Sequence, residues 1–460
     1  MLYHVLRSIA AIALRWYYAD VAFQGVDRVP PKGPLLLVAN HPNALIDPLL
    51  VGTAMQRRVL LTAKATLFEA RLLAIVLKAV GVVPLRRAKD EVRADVSTST
   101  DVPTRDRNAE AFRLVTAALA QGQAILVFPE GISHDDPSIA PLKSGAARMA
   151  LQARTEGALG LRILPIGLIY EAKERPNSRV LVRVGEPLSL DEWVMSMPSS
   201  DATRLTAELD ARLRAVTLNF ATSEQAERAV ELARALVTIA AAPVAVAAPR
   251  SLDAEADVTR CIDAAISELT SAPPAVIESA DALTKRLRTI ERELGERGVA
   301  LQDIRISQRL SPGARFTARE AIWSVLALAA GILGGLTHWI PLRLARQVAL
   351  ASLQSDGSRD QPAMRTILFG IGSLLVWYGG IFFFLARWQG WGWAIAGILG
   401  LFMAADAHRR LQGRFHRAIR RARSYLALRR DPGLQGRVLA EFDALLSDAV
   451  DLERRLIRPK

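Results

Sequence analysis

The sequence predicts an α/β domain, then a helical region, then a set of long apolar helices near its C-terminal end. Two observations carry this. Short β-like apolar runs alternate with helical stretches between residues 34 and 187. Three later stretches, 321–342, 366–386 and 388–405, contain no Asp, Glu, Lys or Arg.

Taken in order, residues 1–23 read as a helix lying in a membrane interface. The apolar run Ser8–Leu14 is short, is cut by Arg15 and has no small-residue cleavage pattern, which argues against a signal peptide. Trp16, Tyr17 and Tyr18 beside Arg7 and Arg15 suit the boundary between lipid and water. In the α/β domain, 24–195, the expected strands are 34–39, 59–63, 82–85, 124–128, 163–170 and 180–184, with helical stretches at 72–80, 108–120 and 145–155. A charged loop is expected at 89–107.

Residues 196–315 read as a separate helical domain, since Leu205, Leu209, Leu213 and Val216 share one helix face, as do Leu283, Leu287, Ile290 and Leu294. Residues 316–406 read as membrane-embedded. The stretches 321–342 and 366–386 are long enough to cross a hydrocarbon core of ~30 Å at ~1.5 Å per residue, and 388–405 is marginal. Residues 407–460 form a basic helical tail, with nine arginines and no acid between Ala407 and Arg430. Arginine on both flanks places the flanks on the cytoplasmic side and favours a membrane hairpin of 366–386 and 388–405 turning at 387–390. The segment 321–342, interrupted by Gly331, Gly334, Gly335 and Pro341, is then re-entrant; three full crossings is the alternative.

Composition narrows the function classes. At 460 residues and 51% hydrophobic the chain is no disordered scaffold. A single cysteine, Cys261, excludes an intramolecular disulfide and a thiolate metal cluster. The net charge of +13 suits nucleic acid or an anionic membrane. The arginine block abuts the apolar stretches and has no base-reading motif, so a membrane surface is the expected partner and nucleic acid is not. No GxSxG elbow marks a serine hydrolase.

Four elements carry chemistry. Asn40-His41-Pro42-Asn43-Ala44-Leu45-Ile46-Asp47-Pro48 follows an apolar strand and pairs a candidate general base, His41, with a carboxylate, Asp47. Residues six apart on a helix are about 240° out of phase, so the segment must turn back for the two to meet. A structural turn explains this pair, taken alone, about as well. Gly81-Val82-Val83-Pro84-Leu85-Arg86-Arg87 ends in two guanidiniums suited to a phosphate, although a solvated strand end is the commoner fate of an Arg pair. Phe128-Pro129-Glu130-Gly131-Ile132-Ser133-His134 combines a glycine that permits close backbone approach with a carboxylate acceptor, and Leu142-Lys143-Ser144-Gly145 follows. Leu164-Pro165-Ile166-Gly167 reads equally as core.

In order and spacing the four together resemble the glycerolipid acyltransferase family, which carries an NHxxxxD-type motif, a GxxxxxR motif, FPEG and a proline-strand motif. The resemblance covers roughly residues 20–190. Here His41 and Asp47 have five intervening residues (HX5D) where the common pattern has four. That variant looks most like the branch of fungal-type glycerol-3-phosphate/dihydroxyacetone-phosphate acyltransferases and their bacterial relatives. Those also carry Ser-His-Asp after FPEG, as Ser133-His134-Asp135 here, and a membrane-embedded C-terminal region.

The resemblance implies a mixed sheet flanked by helices and transfer of an acyl chain from acyl-CoA or an acyl carrier to glycerol 3-phosphate, early in phospholipid synthesis. Lysophosphatidate is the alternative acceptor. His41 would be the base and Asp47 its orienting partner. Arg87 with Arg86 would bind phosphate, and Glu130 with Gly131 the glycerol backbone. Asn40, Ser133 and Lys143 complete the expected substrate-binding set, and His134 would stand behind it. Neither a metal nor a redox cofactor is implied. The expected location is an integral membrane protein with its catalytic domain on the cytoplasmic face, against an anionic leaflet (the inner membrane if bacterial).

Overall fold

The structure, a computed structural model, describes residues 2–44, 46–64, 82–85, 104–197, 201–240, 252–269, 274–307, 310–351 and 362–457. The chain divides into two compact units, Met1–Ser223 with Leu353–Ile367 and Glu224–Ser352 with Leu368–Lys460.

The first unit is built on eight strands: β1 (Asp20–Gln24), β2 (Leu35–Ala39), β3 (Val59–Lys64), β4 (Val83–Leu85), β5 (Ala124–Val127), β6 (Arg162–Tyr170), β7 (Arg179–Val184) and β8 (Leu188–Ser189). They form one sheet in the order β1-β7-β6-β2-β5-β3-β4, with β8 on β6. Pairing is parallel except where β7 and β8 run antiparallel to β6, so the sheet is mixed, as expected. Every residue of β2 and of β5 is buried, which is why both read as unbroken apolar runs. β2 lies between β5 and β6 and parallel to both, so the C-terminal ends of all three share one edge. Ligands of open α/β sheets bind at such an edge.

Among the described residues its helices are α1 (Leu2–Tyr17), α2 (Ile46–Ala54), α3 (Thr104–Ala120), α4 (Gly145–Thr155), α5 (Leu190–Ser196) and α6 (Ala202–Val216). Three expected boundaries change. Residues 20–24 are not the end of the first helix but an edge strand. Tyr17 and Tyr18 bury at the helix end, and the Ala19 amide donates to the Ser178 carbonyl at 2.9 Å, starting the ladder to β7. The helix α3 begins at Thr104, inside the expected charged loop; residues 89–103 and the helical stretch 72–80 lie outside the described residues. Finally, α6 belongs with the sheet. Its face of Leu205, Leu209, Leu213 and Val216 joins the core that holds Leu36, Val38, Ile125 and Ile163. Each such burial contributes ~1.5–3 kcal/mol. A Cβ on Gly167 of β6 would lie 2.0 Å from the Val216 carbonyl, so this glycine is what lets α6 settle on the strand. The α/β unit therefore runs to about residue 223 rather than 195.

The second unit contains, among the described residues, nearly all of α7 (Ser223–Ala240), then α8 (Leu252–Leu269), α9 (Pro274–Glu296), α10 (Leu310–Ala351), α11 (Pro362–Trp388) from Leu368 on, α12 (Trp391–Arg430) and α13 (Pro432–Ile457). Leu283, Leu287, Ile290 and Leu294 of α9 bury against Leu434, Val438, Phe442 and Leu445 of α13. The segment 321–342 is not interrupted at its glycines or at Pro341; it is the middle of one continuous helix. Its glycines serve close packing rather than a break. A Cβ on Gly334 would lie 2.1 Å from the Ala404 carbonyl, and one on Gly335 would lie 2.7 Å from the His408 ring. The break between α11 and α12 falls at Gln389 and Gly390, the latter with φ +90°. Beyond it the apolar run and the arginine block form a single helix, with no break near residue 406. Several of those arginines are held internally: Arg409 and Arg410 by Asp406 at 3.0 and 2.6 Å, Arg420 by Asp303 at 3.2 Å. Arg414 lies over the Trp323 ring at 5.3 Å.

Candidate active site

His41 leaves the C-terminal end of β2 and Glu130 leaves that of β5, so the parallel pairing of these neighbours sets the two side by side. The main-chain N–H of His41 donates to Glu130 Oε1 at 2.8 Å. The His41 ring stacks on Phe128, centroids 4.0 Å apart and planes 16° apart. Its Nδ1 donates to Asp47 Oδ2 at 2.9 Å. With Nδ1 so engaged, Nε2 is the ring nitrogen available to a substrate, and no bond to it is formed among the described residues.

Asp47, fully buried, sits in the first turn of α2, where the helix N-terminus favours an anion. Besides His41 it accepts the Asn43 main-chain N–H at 2.7 Å on Oδ2 and the Tyr170 hydroxyl at 2.5 Å on Oδ1. The Asn43 side-chain amide donates to the Tyr18 hydroxyl at 3.1 Å. Desolvation, reinforced for Tyr170 by the Asp47 charge, pushes both tyrosine hydroxyls above their ordinary range, so both keep their protons.

Glu130 is 2% exposed and its second oxygen is occupied as well. Oε2 accepts the Ala140 N–H at 2.7 Å and pairs with His134 Nε2. The other His134 nitrogen, Nδ1, accepts the Asp136 N–H at 3.2 Å, which fixes Nε2 as the donor to Glu130. Thus Glu130, expected at the glycerol backbone, holds the His41 loop and His134 in place.

The remaining expected residues divide. The Asn40 side chain donates to the Leu168 carbonyl at 3.1 Å and accepts the Leu168 N–H at 2.7 Å, continuing the β2–β6 ladder one residue past its end. Ser133 Oγ accepts the Ala44 N–H at 3.1 Å and bridges the two site loops. Gly131 has φ +71°, and a Cβ there would lie 2.6 Å from Lys143 Nζ, so the Lys143 side chain passes directly over the turn. Arg86 and Arg87 lie outside the described residues, although β4, which they follow, is in the sheet.

Two residues that no short motif marks complete the site. Tyr170 is the last residue of β6, and the parallel β2–β6 register carries it past the end of β2 and over the His41 loop. Lys173 Nζ donates to the Pro42 carbonyl at 2.7 Å and the His134 carbonyl at 3.1 Å and pairs with Asp135, clamping the two loops together. The one signal for Tyr170 is a hydroxyl-bearing residue closing an otherwise apolar strand.

Chemically, this is a buried His–Asp pair with one imidazole nitrogen unengaged among the described residues at the C-terminal edge of the sheet, with the Lys143 ammonium over the neighbouring FPEG turn. It suits proton removal from a hydroxyl next to an anionic group.

Residues 20–169 match the acyltransferase family model. An uncharacterized acyltransferase of Schizosaccharomyces pombe is 26% identical over 266 residues, 41% of this chain and 39% of the relative. Glycerol-3-phosphate O-acyltransferase 2 of Saccharomyces cerevisiae is 31% identical over 143 residues, 30% of this chain and 19% of the relative. The mouse 1-acyl-sn-glycerol-3-phosphate acyltransferase alpha is 27% identical over 195 residues, 41% of this chain and 61% of the relative. The chain thus spans less than two thirds of each of these relatives.

Proposed function

We propose that the acyltransferase domain at residues 20–169 moves an acyl chain from a thioester, acyl-CoA or an acyl carrier, to a hydroxyl of glycerol 3-phosphate. The carrying observation is the His41–Asp47 pair at 2.9 Å, with Nδ1 committed and Nε2 left for chemistry. His41 Nε2 takes the acceptor's proton as the acceptor oxygen adds to the thioester carbonyl carbon. Asp47 stabilises the imidazolium so formed. Collapse of the tetrahedral adduct breaks the C–S bond, and His41 returns the proton to the leaving sulfur. An ester and a thiol result, His41 ends neutral, and no acyl-enzyme is needed. Lys143, folded over Gly131, supplies positive charge for a phosphate, and the motif resemblance assigns Arg86 and Arg87 to the same group.

The same domain likeness extends to a 1-acyl-sn-glycerol-3-phosphate acyltransferase, so lysophosphatidate is the second acceptor to test. Acylation at a membrane is part of the proposal. The 24 residues Arg365–Trp388 are long and apolar enough to cross one, and at ~1.5 Å per residue they span about 36 Å. Val376 and Phe383 on that helix are 78% and 75% exposed, as lipid-facing side chains would be.

The test offers glycerol 3-phosphate, dihydroxyacetone phosphate and lysophosphatidate in parallel to the full chain in detergent with labelled acyl-CoA. Glycerol 3-phosphate is expected to be preferred, and His41→Ala to lose at least ~100-fold in kcat. An H41A variant as fast as wild type would overturn the mechanism; preference for lysophosphatidate would change only the acceptor.

A further inference from the structure

The hydroxyl of Tyr170 meets the face of Asp47 that His41 leaves unused. Asp47 has two oxygens and no exposure to water, so its charge is stabilised by the donors around it. Oδ2 is shared by the His41 ring and the Asn43 amide, at 2.9 and 2.7 Å. Oδ1 receives the Tyr170 hydroxyl, at 2.5 Å. The carboxylate plane is thereby fixed from both ends, and with it the direction in which Oδ2 faces the imidazole. Tyr170 is itself fixed: its backbone pairs with Val180 of β7, and its ring lies against Tyr18, centroids 6.0 Å apart.

We infer that Tyr170 is a positioning residue for the His41–Asp47 pair, setting both the geometry of the base and how strongly the carboxylate supports its protonated form. The hydroxyl draws negative charge toward Oδ1 and away from the imidazole. Without it, Oδ2 holds the imidazolium more tightly and Asp47 itself takes up a proton more readily. Both effects push the acid side of the activity profile the same way, to higher pH. The Tyr170 hydroxyl is committed to Asp47 Oδ1, so its loss is expected to leave substrate affinity unchanged.

For its kinetic arm the inference rests on the acyl-transfer reading; a second arm does not. With the full chain in detergent, Y170F is expected to lower kcat about ten- to a hundredfold, leave KM for glycerol 3-phosphate and acyl-CoA unchanged, and move the acid limb of kcat/KM to higher pH. Because Tyr170 acts through Asp47, D47N/Y170F is expected to be no slower than D47N alone. Independently of turnover, the rate at which diethylpyrocarbonate modifies His41, followed by peptide mass spectrometry, is expected to reach half-maximum at higher pH in Y170F.

Global 3-fluorotyrosine, a stronger donor of nearly the same shape, is expected to move that midpoint to lower pH. It keeps the test alive if Phe at position 170 loosens the sheet. An unmoved midpoint in both cases, or losses that multiply in the double variant, would overturn the inference. A wild-type chain that transfers no acyl group would sink the functional reading instead, with the modification arm still deciding the role of Tyr170.

Discussion

Replacing Glu130 with Gln separates two roles for the FPEG carboxylate. In the structure its two oxygens serve the main-chain N–H groups of His41 at 2.8 Å and Ala140 at 2.7 Å, together with His134 Nε2. A carboxamide offers one acceptor oxygen and one donor NH2. Whichever way it turns, an N–H that met an oxygen now meets another donor. The site is closed to water, since Glu130 is 2% exposed, so the mismatch costs ~1–3 kcal/mol on top of the lost charge-assisted bonds. Part of that cost falls on the loop carrying His41. As ~1.4 kcal/mol in a barrier is a factor of ten, E130Q is expected to lower kcat ~10–100-fold with KM for the acceptor nearly unchanged. Steady-state kinetics across a range of glycerol 3-phosphate concentrations reads both constants. A large rise in KM with kcat preserved would refute the reasoning and return Glu130 to direct contact with the acceptor.

Two further outcomes concern stability. Gly334→Ala places a methyl 2.1 Å from the Ala404 carbonyl, whereas Gly372→Ala meets nothing within 4 Å. G334A is therefore expected to lower the thermal midpoint in detergent by several degrees while G372A holds or raises it, and equal midpoints would remove the glycines' packing role. The second outcome is alkaline. Tyr18 and Tyr170 hold their protons above the ordinary tyrosine range when folded, while the unfolded chain releases them near pH ~10. The unfolded state then binds fewer protons than the folded one, so stability falls as pH rises past ~10. Y18F is expected to flatten that fall in denaturant titrations at pH 9–11, and a slope as steep as wild type would show Tyr18 titrating normally.

What the sequence disclosed follows from how each element is buried. Strands β2, β5 and β6 were legible because an interior parallel strand is apolar on both faces. The edge strand β1, Asp-Val-Ala-Phe-Gln, has no buried residue, and its sequence reads as the end of a helix. The face of α6 was legible, but a periodic face does not say what it packs on, and that depended on Gly167. The glycines of α10 carried the opposite error. A sequence marks them as places where a helix can fail, and only the neighbouring helix shows that they are where it can be approached. In the site, His41 and Glu130 are legible because each follows an apolar strand within a few residues, and Asp47 because it is the carboxylate that closes the His41 motif. Tyr170 and Lys173 lie 123 and 131 residues from the atoms they hold, Asp47 Oδ1 and the Pro42 carbonyl, and no spacing rule reaches them.

The five-residue gap between His41 and Asp47 shows how local conformation absorbs a change in spacing. On a continuous helix the two would be about 240° out of phase and so point about 120° apart. Here α2 does not begin until Ile46, and the chain before it turns back on itself. The Ile46 N–H donates to the Asn43 carbonyl at 2.9 Å, and Ala44 takes φ +37°, a left-handed value that non-glycine residues rarely adopt. Such a residue costs ~1–3 kcal/mol and persists only where its surroundings hold it. Three bonds do so: Ser133 Oγ accepts the Ala44 N–H, Asp47 accepts the Asn43 N–H, and Lys173 draws in the Pro42 carbonyl. Two of the three come from outside the HX5D segment, from the FPEG loop and the end of β6. The longer spacing thus reaches a His–Asp contact of 2.9 Å with Ser133 and Lys173 bonded to its turn, and the HX5D segment and the Ser-His-Asp that follows FPEG are one structural unit read in two places.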